Sequence, residues 1–311
     1  MNRRFYLFLT LLTLLFALTG CKRTDFTPAY IQVNYEDINN CFDVTNFNET
    51  HGLTFDSEQL SALLKHNFTH CNIYVNNKNL GCWQVPCKVP VLDITEGDSV
   101  SLVVIPALRL TGMDNTVTGY PFINFMRQKV LLKRGQTYHI SEKPLSYIYT
   151  PQTQFPFFET FANTSPFSPT DTSNSTLTFA PMMVEGRTAG VITLNGTNGQ
   201  HFDVTSSSFR VPTRNYYVFL EVTYKTEGNL EIGLKTSNAY RPYEIHQIGG
   251  IYPSKGEWKT IYFNLANTIF NNNYTGADMC DINLVLTGSG SISADTHYYI
   301  DDIKVIYMPR A

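Results

Sequence analysis

The sequence predicts an all-β protein built from two β-sandwich domains. Apolar and polar residues alternate over many short segments, which is the period of a half-buried strand. The 311 residues include 21 Phe and 19 Tyr, while only 16% of the side chains are charged. Aromatic enrichment of this kind suits strands better than helices. Turn residues such as Asn and Gly separate the alternating segments, as they do between the strands of a sandwich.

The N-terminal domain is predicted over residues 30–140. Segments 30–35 and 72–75 alternate, and the Asn-rich stretch 76–79 supplies turn residues before the chain returns through 80–83, which predicts a hairpin. One helix is predicted from Asp56 to His66, with Asp56 or Ser57 as its N-terminal cap. Further strands are predicted over 99–104, 130–132 and 138–140.

A linker is predicted over residues 141–156, because its three prolines stiffen the chain and remove backbone donors. The C-terminal domain is predicted over residues 157–308. There Val218, Leu220, Val222 and Tyr224 lie on one face of a strand, and the residues between them lie on the other. Further strands are predicted over 230–235, 258–265, 282–287 and 298–307.

The first 20 residues predict a secretory signal peptide. Arg3 and Arg4 precede an apolar run over 5–18, which is shorter than the ~20 residues that span a bilayer core. The run ends in Leu-Thr-Gly-Cys, which resembles a bacterial lipobox, and the resemblance implies that Cys21 is the site of lipid attachment. Residues 21–29 are then a polar tether, and the membrane is a partner through the lipid anchor.

Charge balance argues against a nucleic-acid partner. The chain carries 23 Lys and Arg against 26 Asp and Glu. Loss of the two arginines with the signal peptide makes the mature chain more acidic still. No basic stripe is present to neutralise a phosphate backbone.

The remaining cysteines leave two interpretations open. Cys41, Cys71, Cys82 and Cys87 lie close together in the sequence, and in an oxidising envelope they permit two disulfides with three possible pairings. Alternatively, some of them are small buried apolar residues. Cys280 is the fifth. A zinc site is not predicted, because no histidine pair completes one with Cys82 and Cys87.

Several segments resemble a known type of module. Three segments of the C-terminal domain, in this order, resemble a jelly-roll domain of the carbohydrate-binding, galactose-binding-like type. They are Phe-Phe-Glu-Thr-Phe at 157–161, Gly-Glu-Trp-Lys-Thr-Ile-Tyr-Phe-Asn-Leu at 256–265 and Tyr-Ile-Asp-Asp-Ile-Lys-Val at 299–305. Segments 72–76, 89–92 and 119–122 are similar to Bacteroidota envelope lipoproteins in which an immunoglobulin-like domain precedes such a jelly roll. The resemblance implies an outer-membrane lipoprotein. In such lipoproteins an acidic cluster directly after the cysteine resembles a signal for export to the cell surface. Only Asp25 is acidic after Cys21 here, so the resemblance implies a periplasm-facing position.

Two groups of residues are candidates for ligand binding. Trp258 and Tyr262 share a strand face opposite Ile261, Phe263 and Leu265, and could present rings to a glycan. Alternatively, Trp258 packs over an edge of the core. Tyr240, Arg241 and Tyr243 form a second group on a predicted loop, where they bind a ligand or cover the sandwich edge.

Carboxylates near the ends of the C-terminal domain form a third group. Glu159 and either Asp301 or Asp302 could meet on adjacent strands, and similar modules bind a structural calcium ion with such groups. Calcium needs six to eight oxygen ligands, so these carboxylates alone do not predict a metal site. Solvation of Asp301 and Asp302 on an edge strand is the favoured interpretation.

Together these features predict a non-catalytic protein that binds a glycan or another envelope ligand through its C-terminal domain. No catalytic residue, metal ligand or cofactor is predicted, since no metalloprotease helix, nucleophile elbow or phosphate loop occurs in the sequence. The alternative is a protein-interaction or structural subunit of an outer-membrane assembly.

Overall fold

The computed structural model describes residues 27–309 except 93, 96, 98, 172, 237–243, 273–276 and 292. Within this part of the chain, nearly all regular structure is strand, and the sheets pack in pairs around two apolar cores. The predicted all-β, sandwich-type fold class is therefore confirmed. Cys21 lies outside the described residues, and so do Tyr240, Arg241 and Tyr243.

In the described N-terminal part of the chain, the first ten strands form three sheets. Strands β4, β1 and β9 form a three-stranded sheet in that order, in which β1 and β9 are parallel. A second sheet has the order β3-β2-β5-β6 with β8 also on β5, and β7 pairs with β10. The bounds are β1 (Ala29–Val33), β2 (His70–Val75), β3 (Lys78–Gln84), β4 (Cys87–Val91), β5 (Ser99–Arg109), β6 (Val117–Gly119), β7 (Ile123–Phe125), β8 (Gln128–Leu131), β9 (Thr137–His139) and β10 (Tyr147–Tyr149).

The predicted hairpin at 72–83 is confirmed by the pairing of β2 with β3. Asn76 and Asn77 make its turn with φ angles of 49° and 66°, a region that asparagine tolerates better than most residues. Ile31 and Val89 from the three-stranded sheet and Ile73 and Val104 from the larger sheet lie in one core. The two sheets thus bury their apolar faces against each other.

Short helices fill the connection between β1 and β2. They are α1 (Tyr35–Asn39), α2 (Phe47–His51) and α3 (Ser57–Leu63). Elsewhere, α4 (Ala266–Asn272) lies in the C-terminal part, and 3₁₀ turns occupy Asp114–Thr116 and Ile140–Glu142. The predicted helix is α3, which ends three residues earlier than expected. Asp56 caps it, since the carboxylate accepts a hydrogen bond from Gln59 N at 2.9 Å.

The predicted linker is instead part of the N-terminal core. Strand β10 pairs with β7, and Tyr147, Tyr149 and Phe155 are buried with the N-terminal residues. Prolines limit the hydrogen bonds of a strand to its neighbours, but they do not prevent the aromatic side chains between them from packing. The prediction considered the prolines and not these aromatic residues. The chain therefore passes between the two cores without a free spacer in this segment.

Twelve strands of the described residues form two six-stranded sheets in the C-terminal part. The front sheet, as we call it, has the strand order β13-β14-β22-β17-β20, and β11 also pairs with β22. The back sheet has the order β12-β15-β21-β18-β19, and β16 also pairs with β21. The bounds are β11 (Gln154–Glu159), β12 (Phe167–Pro169), β13 (Ala180–Val184), β14 (Arg187–Leu194), β15 (His201–Ser206), β16 (Phe209–Pro212), β17 (Val218–Thr226), β18 (Leu230–Thr236), β19 (Ile245–Ile251), β20 (Lys259–Asn264), β21 (Met279–Ser289) and β22 (Thr296–Tyr307).

The inner faces of these sheets form the second core. The predicted alternation of β17 is confirmed, because Val218, Leu220, Val222 and Tyr224 all lie in that core with strands of the back sheet. Phe263 and Leu265 of the β20 region are buried there as predicted. The outer face of the front sheet is therefore left to contact other parts of the molecule or solvent.

A bulge interrupts β22 in the middle of the front sheet. Val222 pairs with Ile303 and Tyr224 with Ile300, so that Thr223 alone lies opposite two residues, Asp301 and Asp302. Ile300 and Ile303 both face the core. The extra residue therefore places two consecutive aspartates on the outer face, which regular alternation would forbid.

Candidate functional site

The outer face of the front sheet has a covered half and an open half. Phe219 and Glu221 of β17 are almost fully buried under the N-terminal part of the chain, although both face away from their own sandwich core. Lys225, further along the same strand, is partly exposed. The N-terminal domain thus covers one end of this face and leaves the other end available.

Aromatic residues make the covered half. Phe219 contacts Phe122 edge to face, with ring centroids 5.2 Å apart. Tyr262 of β20 lies beside them, and its hydroxyl accepts a hydrogen bond from Asn67 N at 3.0 Å. The expectation that Tyr262 faces outward as a ligand-binding ring is corrected, because the residue is 2% exposed. It shares the outer face with Trp258, as its spacing implies, but the N-terminal domain lies on top of it.

A buried ionic cluster lies next to these rings. Lys304 Nζ is 3.1 Å from Glu221 Oε2, and His66 Nδ1 is 3.6 Å from the same oxygen. Tyr120 donates its hydroxyl hydrogen to Glu221 Oε1 at 2.6 Å. Within the described part of the chain, Lys304 Nζ has no hydrogen-bond partner. Its contact with Glu221 is therefore an ion pair without a hydrogen bond.

Burial and charge shift the pKa values of this cluster. Burial alone would raise the pKa of Glu221, but the Lys304 ammonium, aided by His66 and Tyr120, outweighs this effect and lowers the pKa to about 2. Burial and Lys304 lower the pKa of His66 to about 4, against the opposing effect of Glu221. At neutral pH the Glu221 side chain is therefore a carboxylate and the His66 imidazole is neutral.

The two aspartates of the bulge lie at the border between the covered and open halves. Asp301 Oδ2 accepts a hydrogen bond from Arg187 Nη1 at 2.9 Å, and Lys65 Nζ lies 3.7 Å from that oxygen and 3.5 Å from Asp302 Oδ2. Both aspartates are 2% exposed or less. The prediction of solvated aspartates on an edge strand is wrong, because β22 is an interior strand of the front sheet and the N-terminal domain covers the bulge.

Asp302 has an environment that disfavours its charge. Neither of its carboxylate oxygens has a hydrogen-bond partner among the described residues. Burial and the neighbouring Asp301 raise its pKa to about 6, and Lys65 and Lys304 oppose this rise only in part. The carboxylate thus titrates in a range where most aspartates are already ionised.

Replacement of Asp302 by Asn tests this environment through pH. The pKa of Asp302 in the folded state exceeds its ordinary value of 3.8, so the folded protein binds more protons than the unfolded chain between about pH 4 and 6. Ionisation of Asp302 therefore lowers the free energy of unfolding as the pH rises through this window. We expect Asp302→Asn to raise the free energy of unfolding, relative to wild type, by about 1–2 kcal/mol more at pH 7 than at pH 4.5. One pKa unit corresponds to about 1.4 kcal/mol. Urea denaturation at both pH values measures this difference.

Asp278→Asn is the matched control, because Asp278 is an exposed aspartate of the same domain. It should change the free energy of unfolding equally at the two pH values. An equal effect of Asp302→Asn at both pH values would contradict the assignment.

A groove of about 390 Å³ opens where the domains meet. Tyr35, Lys65 and Asn67 line its N-terminal wall, while Arg187, Trp258 and Thr260 line its wall on the front sheet. Tyr35 donates its hydroxyl hydrogen to Asn67 Oδ1 at 3.1 Å. The accessible groups of the groove are thus two cations, the amides of Asn40 and Asn67, hydroxyl groups and two aromatic rings, and the aspartates lie buried beneath them.

A row of three rings continues from the groove along the open half of the sheet. The centroids of Trp258 and Tyr299 are 6.5 Å apart, and those of Tyr299 and His297 are 5.7 Å apart with parallel planes. All three side chains are partly exposed. We call Trp258, Tyr299 and His297 the aromatic row.

Charged side chains hold each ring of the aromatic row. The Arg187 guanidinium lies 4.7 Å from the Trp258 ring centroid, and Trp258 Nε1 donates a hydrogen bond to Glu185 at 2.9 Å. Lys225 lies 5.9 Å from the Tyr299 centroid. His297 contacts Glu227 at 2.8 Å. The rings are therefore oriented before any ligand arrives, and polar groups lie at their edges.

Sequence reasoning found one member of the row. Trp258 lies in the site and faces the outer side of the front sheet rather than the core. Tyr299 and His297 were missed, although the alternation of β22 at 296–300 places them on one face, opposite the buried Tyr298 and Ile300. That alternation was the available indication, but it does not reveal which outer face remains open.

The proposed carboxylate group does not come together as a metal site. Glu159 lies opposite Ile303 on β22, and its carboxylate accepts a hydrogen bond from Phe161 N. Among the residues that the structure describes, no group of three His, Cys, Asp or Glu side chains is arranged to hold a metal ion. In the same part of the chain, no helix has the length and apolar character needed to span a bilayer.

Comparisons with known proteins return similar solved structures only. No family model matches the chain, and no curated protein matches it. A carbohydrate-binding module specific for non-crystalline cellulose aligns at 10% identity with a TM-score of 0.31, over 45% of this chain and 86% of that one. A carbohydrate-binding module that recognises mannan aligns at 12% identity with a TM-score of 0.28, over 50% of this chain and 99% of that one.

Another similar structure is that of infectious bursal disease virus, Gx strain. It aligns at 10% identity with a TM-score of 0.27, over 77% of this chain and 51% of that one. At these TM-scores the likenesses assign no residue and no ligand to this chain.

Proposed function

We propose that the protein binds a glycan, without catalysis, along the aromatic row and the groove beside it. The observation that carries this proposal is the partly exposed row of Trp258, Tyr299 and His297 on the open half of a sheet. Sugar rings have apolar C–H faces that stack on aromatic rings and hydroxyl edges that exchange hydrogen bonds with polar groups. A row of rings bordered by charged side chains meets both requirements.

Pre-organisation supports a binding role for the row. Because Arg187 and Glu185 hold Trp258, and Lys225 and Glu227 contact the other rings, little side-chain freedom is lost when a ligand stacks on them. Ligand sites commonly combine aromatic surface with a few fixed polar groups in this way. The open shape of the groove and row suits part of an extended chain better than a small enclosed molecule.

The groove extends the site onto the N-terminal domain. Tyr35 is 39% exposed and lies across the groove from Trp258. A glycan that leaves the aromatic row at Trp258 would meet this second wall, with Lys65 and Asn67 as hydrogen-bond donors. The N-terminal domain is thus a part of the proposed binding site.

The absence of catalysis is part of the proposal. Glycoside hydrolysis uses two carboxyl groups that flank the scissile bond. The candidate pair here, Asp301 and Asp302, is buried beneath Lys65 and Arg187. A sugar in the groove would contact the cations first, which favours binding over hydrolysis.

We further propose that the protein is a lipoprotein anchored through Cys21 on the periplasmic side of the outer membrane. The basic start, the apolar run and Leu-Thr-Gly-Cys support this proposal. The resemblance at the sequence level also supports an immunoglobulin-like N-terminal domain and a jelly-roll C-terminal domain. Labelled palmitate should enter the wild-type protein but not Cys21→Ser.

Loss of the Trp258 ring tests the glycan proposal. We expect Trp258→Ala to weaken glycan binding about tenfold or more, since stacking on one aromatic ring contributes on the order of 1–2 kcal/mol and about 1.4 kcal/mol corresponds to a factor of ten. A glycan array with the wild-type protein identifies a ligand, and calorimetric titration with that glycan compares the variants.

Tyr252→Ala is the matched control, because Tyr252 is an aromatic residue of the same domain that is 79% exposed and lies outside the row. It should bind as wild type does. Equal binding by Trp258→Ala and wild type, or an equal loss in Tyr252→Ala, would refute the proposed site.

A protein-interaction role is the second candidate, and the edge of the front sheet favours it. Strand β13 lies at this edge, and its Met182 and Met183 are 54% and 68% exposed. An exposed edge with flexible apolar side chains suits a partner that adds a strand. Replacement of both methionines by lysine should abolish capture of such a partner from envelope extracts and leave glycan binding unchanged.

A further inference from the structure

The sequence leaves three pairings open among the four N-terminal cysteines, and the structure discriminates between them. Cys71 lies in the middle of the N-terminal core on β2, with no exposed surface. Cys87 begins β4 and lies in the same core, 9% exposed. These strands belong to different sheets of the sandwich. The two residues therefore approach each other across the core from opposite sheets.

The two thiols are in direct contact. The Cys71 thiol hydrogen-bonds to the sulfur of Cys87, and this bond raises the pKa of Cys71 and lowers that of Cys87. Cys87 is the more exposed of the two, so an oxidant in solution reaches its sulfur first. Two cysteines that meet in one core from facing sheets are placed to join those sheets through a disulfide.

Strand geometry argues against Cys82 as the partner of Cys71. Cys82 on β3 pairs with Asn72, the residue next to Cys71. Paired residues project to the same side of a sheet, and consecutive residues project to opposite sides. Cys82 therefore points away from the face on which Cys71 lies, and its exposed position agrees with this.

We propose that Cys71 and Cys87 form a disulfide that joins the two sheets of the N-terminal sandwich, while Cys82 and Cys41 remain thiols. The bond would link strands that are otherwise held together by apolar contacts of their side chains. It is independent of the proposed glycan binding, and it would form under oxidising conditions such as those of the cell envelope.

Oxidised glutathione is the oxidant in a test of this disulfide. The Cys87 thiolate attacks the disulfide of oxidised glutathione, which forms a mixed disulfide and releases one glutathione thiol. The Cys71 thiol then loses its proton and attacks the Cys87 sulfur, which releases the second glutathione. Two protein thiols are oxidised and one glutathione disulfide is reduced to two thiols.

Peptide mapping of the full-length protein reads out the pairing. The protein is incubated with oxidised glutathione, denatured, alkylated with iodoacetamide and digested with trypsin and chymotrypsin. Cleavage after Trp83 separates Cys82 from Cys87, so these two possible partners of Cys71 fall in different peptides, and Cys41 lies in a third. We expect a linked pair of peptides that contain Cys71 and Cys87, two hydrogens lighter than the sum of the free peptides, with Cys82 and Cys41 alkylated.

Variants separate this outcome from non-specific oxidation. Cys82→Ser should retain the link, and Cys87→Ser should lose it. The thermal midpoint of the wild type should fall by several degrees on reduction, while that of Cys87→Ser should be insensitive to reductant. Recovery of Cys71 and Cys87 as alkylated thiols, or a dominant link from Cys71 to Cys82 or Cys41, would overturn the proposal.

Discussion

Replacement of Lys304 by Met should destabilise the protein by about 3–5 kcal/mol, the usual cost of removing one partner from a buried ion pair. Lys304 is 2% exposed, and its ammonium lies 3.1 Å from Glu221 Oε2 in the contact between the two domains. Methionine preserves most of the volume of the side chain but leaves the Glu221 carboxylate buried without its cation. Urea denaturation at pH 7 measures the change in the free energy of unfolding.

Two further variants identify charge as the cause. Lys259→Ala removes an exposed cation of the same sheet, 3.8 Å from Glu257, and should change stability by no more than about 1 kcal/mol. The double variant Lys304→Met, Glu221→Gln should recover most of the loss. Glutamine removes the uncompensated charge and still accepts the hydrogen bond from Tyr120. A single Lys304→Met variant within 1 kcal/mol of wild type would show that the cluster carries no strong electrostatic coupling.

Phe219→Ala should have an effect of similar size, about 3–5 kcal/mol, because it leaves a cavity in a buried aromatic contact. The ring is fully buried and packs edge to face on Phe122 of the N-terminal domain. The loss falls on the contact between the domains and not on the C-terminal core. We therefore expect weaker glycan binding as well, since the groove depends on the relative position of its two walls.

Tyr217→Ala is the control for this second variant. Tyr217 contacts Phe219, with ring centroids 5.9 Å apart, but is 41% exposed, so its replacement should cost about 1 kcal/mol or less. Urea denaturation gives the stability of both variants, and titration with a bound glycan gives their affinity. Equal costs for the two replacements would mean that Phe219 is not an anchor of the contact between the domains.

Glu221 and Tyr262 show the limit of inference from periodicity. Alternation along β17 and β20 correctly separates the core-facing residues, such as Leu220 and Phe263, from those on the outer face. It cannot tell that Glu221 and Tyr262 are buried, since they are covered by residues such as Tyr120 and Asn67, more than 100 positions away in the sequence. The distinction between a core face and an outer face is local, whereas the cover on an outer face is not.

Asp301 and Asp302 illustrate the same limit at a bulge. Two adjacent carboxylates in a strand predict that at least one faces solvent, and regular pairing would place one of them toward the core. The register shift opposite Thr223 places both on the outer face, and the N-terminal domain then covers them. No pattern in the sequence marks this shift, because a bulge depends on how neighbouring strands align.

The sequence by itself determined the all-β class, the hairpin at Asn76 and Asn77, the cap at Asp56 and the core faces of the C-terminal strands, because these follow from backbone preferences and alternation over a few residues. Only the tertiary structure decided that the proline-rich segment belongs to a core, that Trp258 lies in a row with Tyr299 and His297, and that Cys71 contacts Cys87. Each of these depends on how separate strands pack against one another in space, and that packing is settled by the burial of whole faces rather than by the residues on either side.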